Sequence, residues 1–385
     1  MPTAAHVPAP TPLAVVPFER HGGLVFLPVR VNGGRPLSFA LETGAAPSVI
    51  DRDVAAALGI ASAGGNVVSG AGEGSAAYTV VPDAALELAG VVARDASLIA
   101  APLRDLGRYA GHPVDGLLGL DFLRRFALVV DFEGRRVVVH DAATFAPGAD
   151  ELGARVPVSL SSGHAMLDAS IVLDDGRFVD GRFALDTGAS PSAVVAAPFV
   201  RQHGLVEAVG RTSIAPGRGI ASESGMTLGR PAGLRVGPFT VAEPVCGLSA
   251  DTVGAFASDR WAGVVGNGIW ERFTLTLDLS REQVYLRPNA GFARRELADA
   301  SGLTILAEGD ELRLYRVSRV APGSPAAEAG VREGDELVAV GGRPAPETSL
   351  TVLRERLQAA GRTAELALRR GEELVSVRLA LRQQV

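Results

Sequence analysis

Lysine is absent from this sequence of 385 residues, and cysteine occurs once, at Cys246. A single cysteine excludes an internal disulfide, but it leaves the compartment open because exported proteins need not contain disulfides. The formal net charge of −6 provides no basic surface, which argues against nucleic acid as a partner. No apolar run approaches the ~20 residues of a membrane-spanning helix, so the sequence predicts no transmembrane segment.

Several catalytic signatures are missing as well. No Gly-x-Ser-x-Gly elbow occurs, so a serine hydrolase has no nucleophile motif in this chain. The histidines lack the spacing of metal ligands, which predicts no metal site and no cofactor, and we expect them at the surface or in loops. They are His6, His21, His112, His140, His164 and His203.

Glycine (46 residues) and proline (24 residues) are plentiful, and helical periodicity is rare. This composition predicts a mainly β fold of short strands and many turns. The length is sufficient for two or three domains. Residues 1–12 are rich in proline and alanine without the charged and apolar regions of a signal peptide, so we expect a disordered leader.

An internal repeat organises the chain. The sequence Phe-Ala-Leu-Glu-Thr-Gly-Ala-Ala-Pro-Ser at residues 39–48 recurs as Phe-Ala-Leu-Asp-Thr-Gly-Ala-Ser-Pro-Ser at residues 183–192, 144 residues later. A second pair follows in the same order, because Leu-Leu-Gly at residues 117–119 returns as Val-Val-Gly at residues 264–266, 147 residues later. Two matched signatures in one order predict a duplicated lobe.

Each repeat places an acid at the end of an apolar strand, Glu42 in the first and Asp186 in the second. The glycine two residues later frees the backbone, so that amide N–H groups can point at the carboxylate. If the two turns meet, the carboxyl groups share one proton, because both cannot ionise cheaply. The ionised acid can then take a proton from water while the protonated acid polarises a carbonyl, which hydrolyses an amide without a metal. The supporting residues predicted around the pair are Thr43, Gly44, Thr187, Gly188, Ala189 and Ser190.

These paired motifs resemble the pepsin and retropepsin aspartic proteases in their bacterial two-lobed form. In that family each catalytic triplet is followed by two apolar residues and a glycine, as at residues 117–119 and 264–266. The resemblance covers roughly residues 25–290 and implies an aspartic-type endopeptidase that acts on peptides or unfolded proteins. Relatives with this layout are commonly exported, which suggests an extracytoplasmic location. A complete cleft within one chain makes a monomer sufficient for a site.

Glu42 departs from the family, which has aspartate at that position. Glutamate carries one more methylene, so its carboxyl reaches farther by on the order of 1.5 Å. Three interpretations stay open: an active protease with a Glu42/Asp186 pair, an impaired pseudo-protease that binds peptides as a scaffold, and a different reaction.

Glycine-rich segments follow each acid motif, at residues 69–75 and 216–220. In the resembled family a hairpin at this place closes over the bound peptide, and a plain loop is the alternative. A phosphate-binding loop would need a helix after it, whereas residues 76–81 are β-like. The predicted flap residues are Gly70, Gly72, Gly74, Gly217 and Gly219.

The last part of the chain has a different character. Val-Ser-Arg-Val-Ala-Pro-Gly-Ser-Pro-Ala-Ala-Glu-Ala-Gly-Val at residues 317–331, followed by Gly-Asp-Glu-Leu at residues 334–337, resembles bacterial PDZ domains. In that family an extended peptide adds a strand to the sheet beside a helix, and backbone N–H groups hold its terminal carboxylate. The corresponding positions are Ser301, Gly302, Leu303 and Thr304, with residues 348–359 as the helix. The alternative is a module that only packs on the lobes.

The sequence therefore predicts two aspartic-protease-like β lobes and a C-terminal α+β module. The expected boundaries are residues 13–148 for the first lobe, 149–290 for the second lobe, 291–299 for a linker and 300–385 for the C-terminal module.

Overall fold

The computed structural model describes residues 11–69, 75–146, 148–161, 163–218 and 223–385. The described chain is mainly β, as the composition predicts. Its strands form four sheets, of which one is shared by the two lobes and one belongs to the C-terminal module. No helix in these ranges is long and apolar enough to cross a membrane. The predicted leader falls almost entirely on residues 1–10, which lie outside the described residues.

The first lobe is built around an eight-stranded mixed sheet with the order β2-β3-β4-β9-β5-β8-β7-β6. Its strands are β1 (Ala14–Pro17), β2 (Glu19–His21), β3 (Leu24–Val31), β4 (Leu37–Leu41), β5 (Ser48–Asp51), β6 (Ala63–Ser69), β7 (Ser75–Leu88), β8 (Val91–Ala101), β9 (Gly116–Leu118), β10 (Phe126–Asp131) and β11 (Arg136–Asp141). Its helices are α1 (Arg52–Ala57), α2 (Arg104–Ala110) and α3 (Leu120–Leu123).

The second lobe repeats this plan in a ten-stranded sheet with the order β17-β18-β21-β16-β22-β15-β14-β19-β20, to which β13 is added beside β14. Its strands are β12 (Ala154–Pro157), β13 (Ser159–Ser161), β14 (His164–Val172), β15 (Phe178–Leu185), β16 (Ala193–Val195), β17 (Thr212–Arg218), β18 (Glu223–Gly229), β19 (Gly233–Val236), β20 (Phe239–Ala242), β21 (Cys246–Ser249), β22 (Gly263–Val265), β23 (Phe273–Asp278) and β24 (Gln283–Pro288). Its helices are α4 (Ala149–Leu152), α5 (Ala197–His203), α6 (Leu205–Ala208) and α7 (Asn267–Trp270), with 3-10 turns at Ala255–Ala257 and Leu279–Arg281.

A six-stranded sheet, β1-β11-β10-β23-β24-β12, joins the two lobes. Its centre is the antiparallel pair β10 and β23, in which Leu128 lies opposite Leu277. Each half of this sheet contains a hairpin, β10–β11 in the first lobe and β23–β24 in the second, with β1 or β12 added at its edge. Leu128 and Val130 are fully buried, because alternate residues of a strand face the same side of the sheet. One hydrophobic core therefore runs through both lobes.

The C-terminal module has its own sheet, β25-β26-β27-β29-β30, with β28 beside β27. Its strands are β25 (Leu303–Glu308), β26 (Leu314–Val320), β27 (Glu336–Val340), β28 (Arg343–Pro344), β29 (Thr363–Arg370) and β30 (Glu373–Ala380). Its helices are α8 (Pro325–Glu328) and α9 (Leu350–Leu357), with a 3-10 turn at Ala345–Glu347. A separate hydrophobic cluster fills it.

Local sequence signals fix several element ends. Asp51 caps α1, because its carboxylate accepts hydrogen bonds from the N–H groups of Asp53 and Val54 at 3.0 and 3.2 Å. Ser349 caps α9, because its hydroxyl accepts the N–H of Val352 at 3.3 Å. Cys246 is a free cysteine and is buried. The domain boundaries stay a prediction.

Candidate active site

The two acid motifs occupy equivalent places in the lobes. Glu42 directly follows β4, and Asp186 directly follows β15. The apolar-Gly strands β9 and β22 lie parallel beside them, and their last residues accept the backbone N–H groups of the two acids. The hydrogen bonds from Glu42 to the Leu118 carbonyl and from Asp186 to the Val265 carbonyl measure 3.0 and 2.9 Å. The two apolar-Gly strands thus hold the backbone of the two acids in place.

Thr43 and Thr187 tie the two turns together. The N–H of Thr43 donates to the Thr187 hydroxyl at 3.0 Å, and the N–H of Thr187 donates to the Thr43 hydroxyl at 2.9 Å. Each hydroxyl in turn donates across the lobes, Thr43 to the Leu185 carbonyl at 2.7 Å and Thr187 to the Leu41 carbonyl at 2.8 Å. Both threonines are fully buried, and the N–H and hydroxyl groups of each are hydrogen-bonded across the lobes.

This junction brings the carboxyl groups of Glu42 and Asp186 together, because a Cβ atom on Gly44 would lie 2.9 Å from Glu42 Oε1 and 3.1 Å from Asp186 Oδ1. The Gly44 N–H donates to Glu42 Oε1 at 2.9 Å, and the Gly188 N–H donates to Asp186 Oδ1 at 2.8 Å. A Cβ atom on Gly188 would lie 1.6 Å from Glu42 Oε2, so a side chain at this position would displace the Glu42 carboxyl. Both acids are half-buried.

The two carboxyl groups differ in acidity. Withdrawal from water raises the pKa of Glu42 well above its ordinary value, and the charge of Asp186 and the hydrogen bond to it raise this pKa further. Withdrawal from water also raises the pKa of Asp186, but the hydrogen bonds from Glu42 and Gly188 and the nearby His164 oppose that rise. The arrangement therefore favours one proton shared between the two carboxyl groups.

Two family models match parts of this chain. The family model for aspartyl proteases matches residues 27–122, which contain the Glu42 turn, and a model for PDZ domains matches residues 316–370. The chain combines an aspartic-protease-like fold with a PDZ domain. No curated protein matches it.

Among solved structures, the aspartic proteinase of Irpex lacteus is 14% identical over 73% of this chain and 98% of its own, with a TM-score of 0.43. The photosystem II D1 C-terminal processing protease is 32% identical over 24% of this chain, with a TM-score of 0.22, and the match spans 25% of that protease. The HtrA3 PDZ domain bound to a phage-derived ligand (FGRWV) is 25% identical over 22% of this chain and 86% of its own, with a TM-score of 0.20.

Two residues after the second triplet, Ala189 and Ser190, support the Asp186 turn. The backbone of Ala189 hydrogen-bonds to the Asp186 carboxyl, which lowers its pKa. The hydroxyl of Ser190 donates to the Gly22 carbonyl of the first lobe at 2.6 Å. The side-chain amide of Asn267 donates to the Thr187 carbonyl at 2.7 Å. Asn267 belongs to α7 directly after the Val-Val-Gly strand, and the sequence analysis did not single it out.

His164 is a residue of the site that the sequence analysis missed. It begins β14, its ring centroid lies 4.8 Å from that of Trp261, and its pKa responds to Asp186 and to a hydrogen bond with the Gly44 backbone. Burial lowers the pKa of His164, while the Asp186 charge raises it. The expectation of a surface or loop position is wrong for His140, which is buried in β11, whereas His164 is half-buried at the start of β14. No periodic pattern marks either residue, because tertiary contacts create these environments.

The lobes hold their turns with different acids. In the first lobe Asp121 accepts the N–H and the hydroxyl of Ser48 at 2.9 and 2.5 Å. The equivalent residue of the second lobe is Gly268, which has no carboxylate, and Glu296 from the linker supplies the carboxylate there. Its carboxylate accepts the Ser192 hydroxyl at 2.5 Å. The linker to the PDZ domain is therefore part of the support of the second turn.

The structure describes only part of the predicted flap. Gly217 lies in β17, which pairs antiparallel with β18, and β6 pairs antiparallel with β7 in the first lobe. Gly70, Gly72, Gly74 and Gly219 lie outside the described residues.

A cavity of about 620 Å³ opens beside the Glu42 turn, lined among others by Ala46, Pro47, Tyr78 and Leu98. Its wall combines the turn with the β7 hairpin.

One histidine cluster resembles a metal site in composition but not in geometry. Glu19, His21 and His112 bring ligand-type atoms within 4.8 Å of one another. The two imidazoles stack with centroids 3.9 Å apart and 3° between their planes, so their in-plane lone pairs run parallel rather than converge on one ion. His21 hydrogen-bonds to Glu19, and His112 to Ser38, both at 2.9 Å. Burial and the neighbouring His21 lower the pKa of His112 to about 4.

Stability should depend on pH through Glu42. Because its pKa is raised on folding, the folded state binds more protons than the unfolded state above the ordinary glutamate value of 4.5. The free energy of unfolding therefore falls as pH rises above 4.5, by at most about 1.4 kcal/mol per pH unit for this one proton. We expect Glu42→Gln to flatten this slope, as measured by urea unfolding at a series of pH values.

The matched control for this experiment is Glu207→Gln, which removes the charge of an exposed glutamate in α6. It should keep the wild-type slope. Equal slopes for Glu42→Gln, Glu207→Gln and the wild type would contradict the raised pKa of Glu42.

Proposed function

We propose that this chain is an aspartic-type endopeptidase that activates a water molecule with Glu42 and Asp186. The observation that carries the proposal is the convergence of these two carboxyl groups, which come from matched turns that Thr43 and Thr187 join across the two lobes. An acid pair that shares one proton supplies a general base and a general acid at the same place. The aspartyl-protease match over residues 27–122 supports this chemistry, and the PDZ domain supports a peptide-docking role.

The reaction follows from the proton positions. The Asp186 carboxylate takes a proton from water, whose oxygen attacks the carbonyl carbon of the scissile peptide bond, while Glu42 gives its proton to the carbonyl oxygen. The tetrahedral intermediate then collapses: the carbon–nitrogen bond breaks, Asp186 donates its proton to the leaving nitrogen, and Glu42 recovers a proton from a hydroxyl group of the intermediate. The pair returns to its starting state, and no covalent enzyme intermediate forms.

The cavity beside the Glu42 turn suits a side chain of the substrate. Val80 and Leu98 provide apolar contacts there, and Tyr78 lies on the β7 hairpin that borders the cavity. A peptide bound along the cleft would place a neighbouring residue in this cavity while its scissile bond faces the acid pair. We therefore expect a preference for an apolar side chain near the cleavage point.

One observation favours the second candidate, an impaired protease that binds peptides. The longer side chain of Glu42 reaches the opposite turn, where its Oε2 would lie 1.6 Å from a Cβ atom on Gly188. An oxygen held there is less free to exchange a proton with substrate. On this alternative the cleft and the PDZ domain would both act as peptide-binding sites.

A peptide library separates the two candidates. We expect the purified chain to cleave a mixed-sequence pool at acidic to neutral pH, with products identified by mass spectrometry. Glu42→Asp should retain activity within about tenfold, because either acid can hold the shared proton. If the wild type leaves every peptide intact while Glu42→Asp cleaves, the pseudo-protease is the correct interpretation.

A further inference from the structure

The groove of the PDZ domain lies between β25 and α9. β25 is the edge strand of its sheet, so its outer side is where an added peptide strand would pair. The predicted carboxylate-binding residues lie at the start of this strand: Ser301 and Gly302 precede it, and Leu303 and Thr304 are its first residues. Gly302 has a φ of +79°, and a Cβ atom there would lie 2.1 Å from the Ser324 Cβ, so only glycine fits.

Helix α2 of the first lobe already packs against β25. Arg108 of α2 forms an ion pair with Glu308, the last residue of β25, at 2.9 Å. Arg354 of α9 donates to the Tyr109 carbonyl of α2 at 2.8 Å and to the Ile305 carbonyl of β25 at 2.7 Å. Its guanidinium also lies over the Tyr109 ring, 4.9 Å from the centroid. Arg354 thus connects the two walls of the groove to a helix from another domain.

The carboxylate-binding groups are occupied as well. The carboxylate of Asp299 accepts the N–H groups of Ser301 and Gly302, and the Ser301 hydroxyl at 2.6 Å. The Ser301 hydroxyl in turn accepts the N–H of Leu303 at 3.1 Å. These are the backbone donors that would hold the terminal carboxylate of a peptide. A carboxylate of the chain itself therefore occupies the position that the ligand carboxylate requires.

The same region contacts the candidate active site through one turn. Gly22, between β2 and β3, donates its N–H to the hydroxyl of Thr351 in α9 at 3.2 Å. Its carbonyl accepts the Ser190 hydroxyl in the Asp186 turn at 2.6 Å. A Cβ atom on Gly22 would lie 2.9 Å from the Cα of Ala110, the last residue of α2. A single residue thus touches α2, α9 and the second catalytic turn.

We propose that α2 and the Asp299 carboxylate are internal ligands of the PDZ domain, which close its groove until a peptide with a free C-terminus displaces them. Displacement frees α9 from α2 and is transmitted to the Asp186 turn through Gly22. The proposal deepens the peptide-docking part of the proposed function, and its test measures binding rather than cleavage.

The test uses the full chain carrying Asp186→Asn, so that the probe is not consumed. The probes are fluorescein-labelled peptides that end in free valine, leucine or phenylalanine, together with the same peptides amidated at the C-terminus. Arg108→Glu places like charges on α2 and Glu308, and Asp299→Asn removes the internal charge. We expect each change to tighten binding of the free-carboxylate probes by about tenfold, measured by fluorescence anisotropy, because a larger fraction of the domain is open.

Arg124→Glu is the matched control, because it makes the same charge change at an exposed residue after α3, and it should bind as the parent does. Hydrogen exchange should accelerate at residues 20–24 and 186–192 when probe binds. Parent, Arg108→Glu and Asp299→Asn proteins that bind the free-carboxylate probes equally well would overturn the proposal. So would a gain in affinity that the amidated probes share.

Discussion

Asp186→Asn is expected to fold normally and to lose peptide hydrolysis by about 10²- to 10⁴-fold. Asparagine keeps an oxygen that can accept the Gly188 N–H, which now bonds to Asp186 Oδ1 at 2.8 Å, so the turn should survive the change. It cannot take a proton from water, and this removes the general base. The measurement is the initial rate on a peptide that the wild type cleaves, with thermal unfolding as the check on folding.

The control for this variant is Asp168→Asn, in β14 of the same lobe. Its side chain is 91% exposed and lies 3.8 Å from Arg182, so the change should leave the rate unaltered. Hydrolysis by Asp186→Asn at the wild-type rate would remove Asp186 from the mechanism, and with it the proposed acid pair.

Gly188→Ala should separate activity from stability. The added methyl would lie 1.6 Å from Glu42 Oε2 and 2.2 Å from its Cδ, so the glutamate carboxyl has to move. That carboxyl is the end of a flexible side chain, which can turn away at small cost to the fold. Since the acid pair works only in a narrowly defined geometry, we expect activity to fall by about 10²-fold or more while the unfolding temperature stays close to that of the wild type.

Two further glycine variants should show smaller losses of activity. A Cβ atom on Gly44 would lie 2.9 Å from Glu42 Oε1 and 3.1 Å from Asp186 Oδ1, so Gly44→Ala should reduce activity less than Gly188→Ala. Nothing lies within 4 Å of a Cβ atom on Gly148, so Gly148→Ala should change neither the activity nor the unfolding temperature. Full activity in Gly188→Ala would mean that Glu42 does not need its position beside Gly188.

The acid pair could be predicted from the sequence because its motif occurs twice. The triplets and the two apolar-Gly strands recur in one order, and in the structure β9 and β22 lie beside the acids as that order predicts. Hairpins such as β10 and β11 were predictable from their turns and apolar strands. A hairpin is a local structure, so its residues carry enough information to identify it.

Other features had no local signal. Helix α2 contains Gly107 and has no side-chain cap, and nothing in its sequence predicts its contact with the PDZ domain. The replacement of Asp121 by Glu296 in the second lobe joins residues far apart in the chain. His164 reads as an ordinary polar residue until β14 places it near Asp186.

The sequence by itself determined the duplication, the identity of the two acids, the mainly β character and the PDZ segment, because each of these depends on residue types at short or repeated spacing. Only the tertiary structure decided that the Glu42 and Asp186 carboxyl groups lie together, that six strands from both lobes form one sheet, and that α2 packs against β25 while Asp299 accepts the N–H groups of Ser301 and Gly302. These are contacts between distant parts of the chain. They arise from the burial of apolar surface and the pairing of polar groups over the whole molecule, which no single stretch of sequence specifies.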